Sequence, residues 1–156
     1  MTEQRRHDEP DDLLTPTLQG RDARPADAQR PWRLGSIVYV AFFGGALAAA
    51  TISLLNSRRL GQSASTQAAI PALGAAGFAG VLFVATLVDE DSVRIAIRAV
   101  ALVAYGGMYL LQRSADRVYH YHQRDDDPYD SLWGPGLAAV FSLGIAETVA
   151  AHGIAA

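Results

Sequence analysis

The stretch Leu34-Gly-Ser-Ile-Val-Tyr-Val-Ala-Phe-Phe-Gly-Gly-Ala-Leu-Ala-Ala-Ala-Thr-Ile-Ser-Leu-Leu55 runs for 22 residues without a charge. At about 1.5 Å per residue a helix of this length reaches roughly 33 Å, the thickness of the hydrocarbon core of a bilayer. It reads as a transmembrane helix. Trp32 and Arg33 stand at its entry and Asn56, Arg58 and Arg59 at its exit, where amphipathic rings and cationic heads act as interfacial anchors. Gly61 supplies the stop.

Working outward, Ala68 to Val88 is a second uncharged run, with Pro71 placed in its first turn and Asp89-Glu90-Asp91 closing it. Val93 to Leu111 is interrupted by Arg94 and Arg98, and Leu132 to Ile154 carries Glu147 and His152. These two runs become spans by an argument of depth. In an up-down-up-down bundle the start of the third helix and the end of the fourth share one side of the membrane. Arg98 lies about one turn inside the third and Glu147 about two turns from the end of the fourth. An intramembrane charge is costly unless it faces the bundle interior and pairs. The sequence therefore predicts an Arg98–Glu147 ion pair, with Arg94 and His152 nearer the interface.

Between the third and fourth runs, Gln112 to Ser131 begins as a continuation of the third helix, with Arg113 and Asp116 spaced as neighbours on one face. Asp125-Asp126-Asp127-Pro128 ends it. Asp130 or Ser131 is placed to cap the fourth helix, Pro135 lies in its first turns, and Trp133 is an anchor on the face opposite Trp32.

Upstream, residues 1–33 hold six Arg and seven Asp or Glu with scattered aliphatics. Such a composition buries too little apolar surface to offset ordering entropy and reads as a disordered tail. No secretory leader is visible in it. The chain of 156 residues has a net charge of -3, and its 13 Arg with no Lys resemble the usage of a GC-rich bacterium. Cysteine is absent, which excludes disulfides, thiolate metal sites and cysteine nucleophiles.

Every run carries small residues where backbones can approach: Ala41-x-x-x-Gly45, Gly44-x-x-x-Ala48, Ala76-x-x-x-Gly80, Gly106-Gly107, and Ala138-x-x-x-Ser142 with Gly144. Close contact of this kind drives helix association in lipid. The first run and its exit also carry Phe42-x-Gly44-Gly45 followed eleven residues on by Asn56-x-Arg58-Arg59-Leu60-Gly61. This resembles a set of uncharacterised small bacterial membrane proteins, in which Ala46 is often replaced by Pro. The resemblance covers about a fifth of the chain and implies a multi-helix membrane fold, with no activity attached.

Chemistry has few candidates. His120, His122 and Asp126 offer imidazole and carboxylate ligands for zinc or manganese. On a helix, positions two apart diverge, so a solvated aromatic and charged loop is the preferred reading. Glu147 suits a proton or cation carrier, against which stands the structural ion pair with Arg98. No phosphate loop, nucleophile elbow or basic aromatic patch is present, so nucleic-acid binding has no support.

The resulting expectation is an all-α integral membrane four-helix bundle over 34–156 behind a disordered N-terminal tail, non-enzymatic and without a cofactor. Its partners are the bilayer and other membrane proteins or itself, as an accessory or scaffold subunit. The rival is a small oligomeric transporter or pore using Glu147. Cationic residues divide five against five between the two sides, and both termini are placed in the cytoplasm because a long polar tail without a signal is hard to translocate.

Overall fold

The computed structural model describes residues 29–122 and 129–155. The tail expected over 1–33 lies outside them as far as residue 28, and so does Asp126. The architecture is all-helical: a short 3-10 turn Leu34–Ser36, then α1 Ile37–Arg59, α2 Ala64–Ala85, α3 Glu90–His122, α4 Trp133–Ala139, a π-helical turn Val140–Gly144, and α5 Ile145–Ala155. Among the described residues there is no strand, only an isolated bridge between Trp32 and Asp130. Four segments are long and apolar enough to cross a membrane: Leu34–Arg59, Ala64–Ala85, Ser92–His122 and Trp133–Ala151.

The first of these does not run straight. Gly45 sits at φ 80°, ψ -169° inside α1, a region that only glycine occupies readily. The chain reverses there. The Trp32 amide donates to Asn56 Oδ1 at 2.7 Å, whereas a continuous helix would hold residues 24 apart at roughly 36 Å. At the turn itself, a Cβ on Gly44 would stand 2.7 Å from the Ala48 Cβ, about half the i,i+4 spacing of an unbroken helix, roughly 5–6 Å. So α1 is a helical hairpin, with a short arm 37–44 and a returning arm 46–59. At about 12 Å and 21 Å respectively, neither arm reaches across a hydrocarbon core of about 30 Å.

The mouth of the hairpin defines one end of the bundle, called here the near end. Asn56 there passes its Nδ2 hydrogen to Gln112 Oε1 at 3.4 Å. Arg59 lies with its guanidinium 3.8 Å from the Trp32 ring centre and reaches Asp130 at 3.3 Å and the Arg30 carbonyl at 2.7 Å. The Tyr105 hydroxyl donates to the Leu34 carbonyl at 2.8 Å. From this end α2 descends to the far end, α3 climbs back, and α4 to α5 descends again. A small second core of Val81, Ala85, Val93 and Ala151 closes the far end.

Several expectations change with the hairpin. Three segments, rather than four, connect the two ends, so the described stretches 29–33 and 151–155 lie at opposite ends of the bundle. Trp133 lies at the same end as Trp32, since Asp130 bonds the Pro31 carbonyl through its amide at 2.9 Å. Trp32 is itself a core residue at 2 % exposure rather than an interfacial anchor, because the Arg59 guanidinium and the hairpin mouth cover it. Trp133, at 78 % exposure, is free to anchor, and Arg33 and Arg58 are exposed. Residues 29–33 pack as part of the bundle instead of extending the tail.

Local chemistry accounts for the rest. Ser63 caps α2, its hydroxyl accepting the Thr66 amide, so the helix starts at Ala64. Pro71 consequently falls in the helix interior, not in the first turn as the sequence predicts. Gly61, at φ 66°, ends the returning arm. The tightest glycines of α2 are Gly74 and Gly77, while Gly80 packs more loosely, a Cβ there standing 3.1 Å from Val100 Cγ1. A Cβ on Gly77 would meet those of Ala104 at 2.8 Å and Ala46 at 2.9 Å.

Candidate functional site: the hairpin tip and its cavity

A helix that begins in the interior leaves its first amide hydrogens without partners, and burying them unsatisfied in an apolar medium costs several kcal/mol each by order of magnitude. The returning arm begins at Ala46 with no capping side chain of its own, since Gly44 and Gly45 precede it. The cap comes from α5. Glu147 is buried at 2 % exposure; its Oε1 accepts from the Ala46 amide at 3.1 Å and its Oε2 from the Leu47 amide at 3.0 Å. A carboxylate at this position also meets the positive end of the arm's dipole.

Two glycines make the approach possible. A Cβ on Gly45 would overlap the Glu147 carboxylate, and one on Gly144 would stand 2.8 Å from Gly44 Cα and 3.1 Å from its carbonyl oxygen. The π-helical turn Val140–Gly144 thus brings backbone against backbone just before Glu147.

The Arg98–Glu147 ion pair predicted from depth does not form: no Arg98 nitrogen comes within 4.0 Å of the carboxylate. The Arg98 guanidinium instead lies 4.8 Å from the centre of the Phe42 ring. The depth argument does bring the two residues to one place, because both line a cavity of about 380 Å³ beneath the hairpin tip. The two amides win the carboxylate because they have no other partner, while a long Arg stem can carry its head toward the bundle end. Arg94, Phe42, Phe43 and Thr148 also line this cavity.

The metal candidates diverge. His120 and His122 lie in the last turn of α3, where His120 stacks on Tyr129 at 6.1 Å between ring centres and His122 Nδ1 lies 2.7 Å from the Val118 carbonyl oxygen. No cluster of three potential ligands exists among the described residues. Tyr129 donates to Asp116 at 3.2 Å, and its hydroxyl is pushed up to about 12 by burial, by the nearby carboxylate and by that hydrogen bond.

The hairpin is the feature that sequence reasoning missed. Its signal is the Gly44-Gly45 pair in mid-run, followed by the helix-favouring Ala46-Leu47-Ala48-Ala49-Ala50. Compared with protein-family models, curated proteins and solved structures, the chain finds no match in any of the three.

Proposed function

We propose that the chain is a non-enzymatic integral membrane protein of three crossings and one re-entrant hairpin, acting as an accessory or scaffold subunit beside other membrane proteins. The observation that carries this reading is the commitment of the one buried carboxylate among the described residues. A carrier must bind and release its ion, whereas both Glu147 oxygens are held by the backbone they organise. The exposed apolar side chains on the outer faces, among them Phe43, Phe83, Ile95, Val103 and Phe141, suit lipid and partner helices alike. The rival reading of a small transporter draws its support from the polar cavity beside a broken helix, the arrangement in which transporters hold ions.

The hairpin also changes the charge count that supports a membrane orientation. Among the described residues Arg30, Arg33, Arg58, Arg59, Arg113 and Arg117 belong to the near end, against Arg94 and Arg98 toward the far end. Six against two replaces the even split, and the positive-inside tendency puts the near end, with the N-terminal side, in the cytoplasm. The C-terminal side then faces away from it. The resemblance to the Phe-x-Gly-Gly set fits the same scheme: Gly44 and Gly45 form the tip, Asn56 and Arg59 the mouth.

The chain lacks cysteine, so single cysteines report topology directly. Gly35→Cys and Gly61→Cys are expected to react with a membrane-impermeant thiol reagent from the same side, and Thr86→Cys from the other. A straight first span would put Gly35 and Gly61 on opposite sides. For the accessory role, native mass spectrometry of the protein in nanodiscs is expected to detect other membrane subunits at fixed stoichiometry. A partner-free homo-oligomer showing ion flux in liposomes would favour the transporter instead.

A further inference from the structure

The cavity under the hairpin tip holds an excess of positive charge. Two guanidinium groups, Arg94 and Arg98, line it, and Glu147 is its only carboxylate among the described residues. That carboxylate turns both oxygens toward the Ala46 and Leu47 amides and is thereby spent on the positive end of the returning arm. Neither arginine has an ion pair among the described residues; Arg98 meets only the face of Phe42. Both remain exposed. They are four residues apart on α3, which puts them on one face, and the cavity between them and the hairpin tip has a volume of about 380 Å³.

We propose that this cavity binds a phosphate-bearing anion, held by Arg94 and Arg98 with the hairpin tip above it. The forked guanidinium matches phosphate oxygens through paired hydrogen bonds. Two exposed guanidinium groups without an ion-pair partner among the described residues leave this cavity open to an anionic ligand. Resting on the membrane reading above, its place toward the far end, beside the core of Val81, Ala85, Val93 and Ala151, puts it where the phosphate of a lipid headgroup reaches from one leaflet. Inorganic phosphate offers the same chemistry from solution.

The test uses the full chain, delipidated in detergent and offered phosphatidylglycerol, phosphatidylcholine or inorganic phosphate. Native mass spectrometry reads bound lipid, and thermal unfolding reads stabilisation. Retention of one phosphatidylglycerol per chain in preference to phosphatidylcholine, unaffected by millimolar phosphate, supports the lipid as source. Stabilisation by phosphate with no lipid selectivity supports the free anion. Arg94→Gln and Arg98→Gln are each expected to weaken binding about fivefold, and the pair roughly thirtyfold. If the double variant does not fold, Arg94→Lys/Arg98→Lys keeps the charge and is expected to retain binding with reduced preference. The proposal is overturned if wild-type protein shows neither lipid selectivity nor phosphate stabilisation, or if a folded double Gln variant binds as wild type does.

Discussion

Gly45→Ala is expected to disrupt the bundle more than any other single methyl addition. Two costs arrive together. The backbone at φ 80°, ψ -169° strains an L-residue by about 1–3 kcal/mol, and the new methyl occupies the space of the Glu147 carboxylate. Displacing that carboxylate strands the Ala46 and Leu47 amides, at about 1–3 kcal/mol each. The sum is a large share of a stability of about 5–15 kcal/mol typical of folded domains. Gly106→Ala is the matched control, since a Cβ there meets nothing within 4 Å and alanine favours the helix. Thermal unfolding in micelles should show a large drop for the first and none for the second. Equal behaviour of the two would remove the hairpin from the account.

The second large effect is expected at Glu147. Glu147→Ala leaves both amides of the returning arm without an acceptor. Glu147→Gln keeps one carbonyl oxygen but turns an amide NH2 toward the other N–H, so its loss falls between wild type and Ala. Arg98→Ala removes only a cation over the Phe42 ring, a contact worth about 0.5–1 kcal/mol at an exposed site. The order of stability should be wild type, then Arg98→Ala, then Glu147→Gln, then Glu147→Ala. Equal losses at Arg98 and Glu147, with strong coupling in the double variant, are what a direct ion pair between them would produce. Hydrogen exchange at Ala46 and Leu47 gives a local readout, and protection there should vanish in Glu147→Ala while Ile52 keeps its own.

Much of the fold was legible because an uncharged run long enough to cross a bilayer is a strong signal by length alone. The helical segments, the stop at Gly61 and the shared depth of Arg98 and Glu147 all follow from counting residues. The hairpin was not legible by counting, since a run of 22 uncharged residues has the same length straight or folded. What decides between the two is a cap on a distant helix, and pairings a hundred residues apart leave no periodic trace. The same gap misplaced Trp32. A tryptophan at the end of an apolar run is usually an anchor, and only the return of Asn56 and Arg59 to its side buries it. His120 and His122 differ in kind: the sequence reads their segment as a solvated loop, whereas both lie in the last turn of α3.

The clamp between the first segment and the last also sets an order of events during synthesis. Ala46 and Glu147 are 101 positions apart, so the hairpin leaves the ribosome long before its cap exists. Until α5 arrives, the run from Leu34 carries the length and apolarity of a full crossing, and nothing yet holds it doubled. The final helix therefore does more than complete the bundle. In the membrane protein proposed above, its carboxylate fixes how many times the chain crosses, and with that number the side on which every later loop resides.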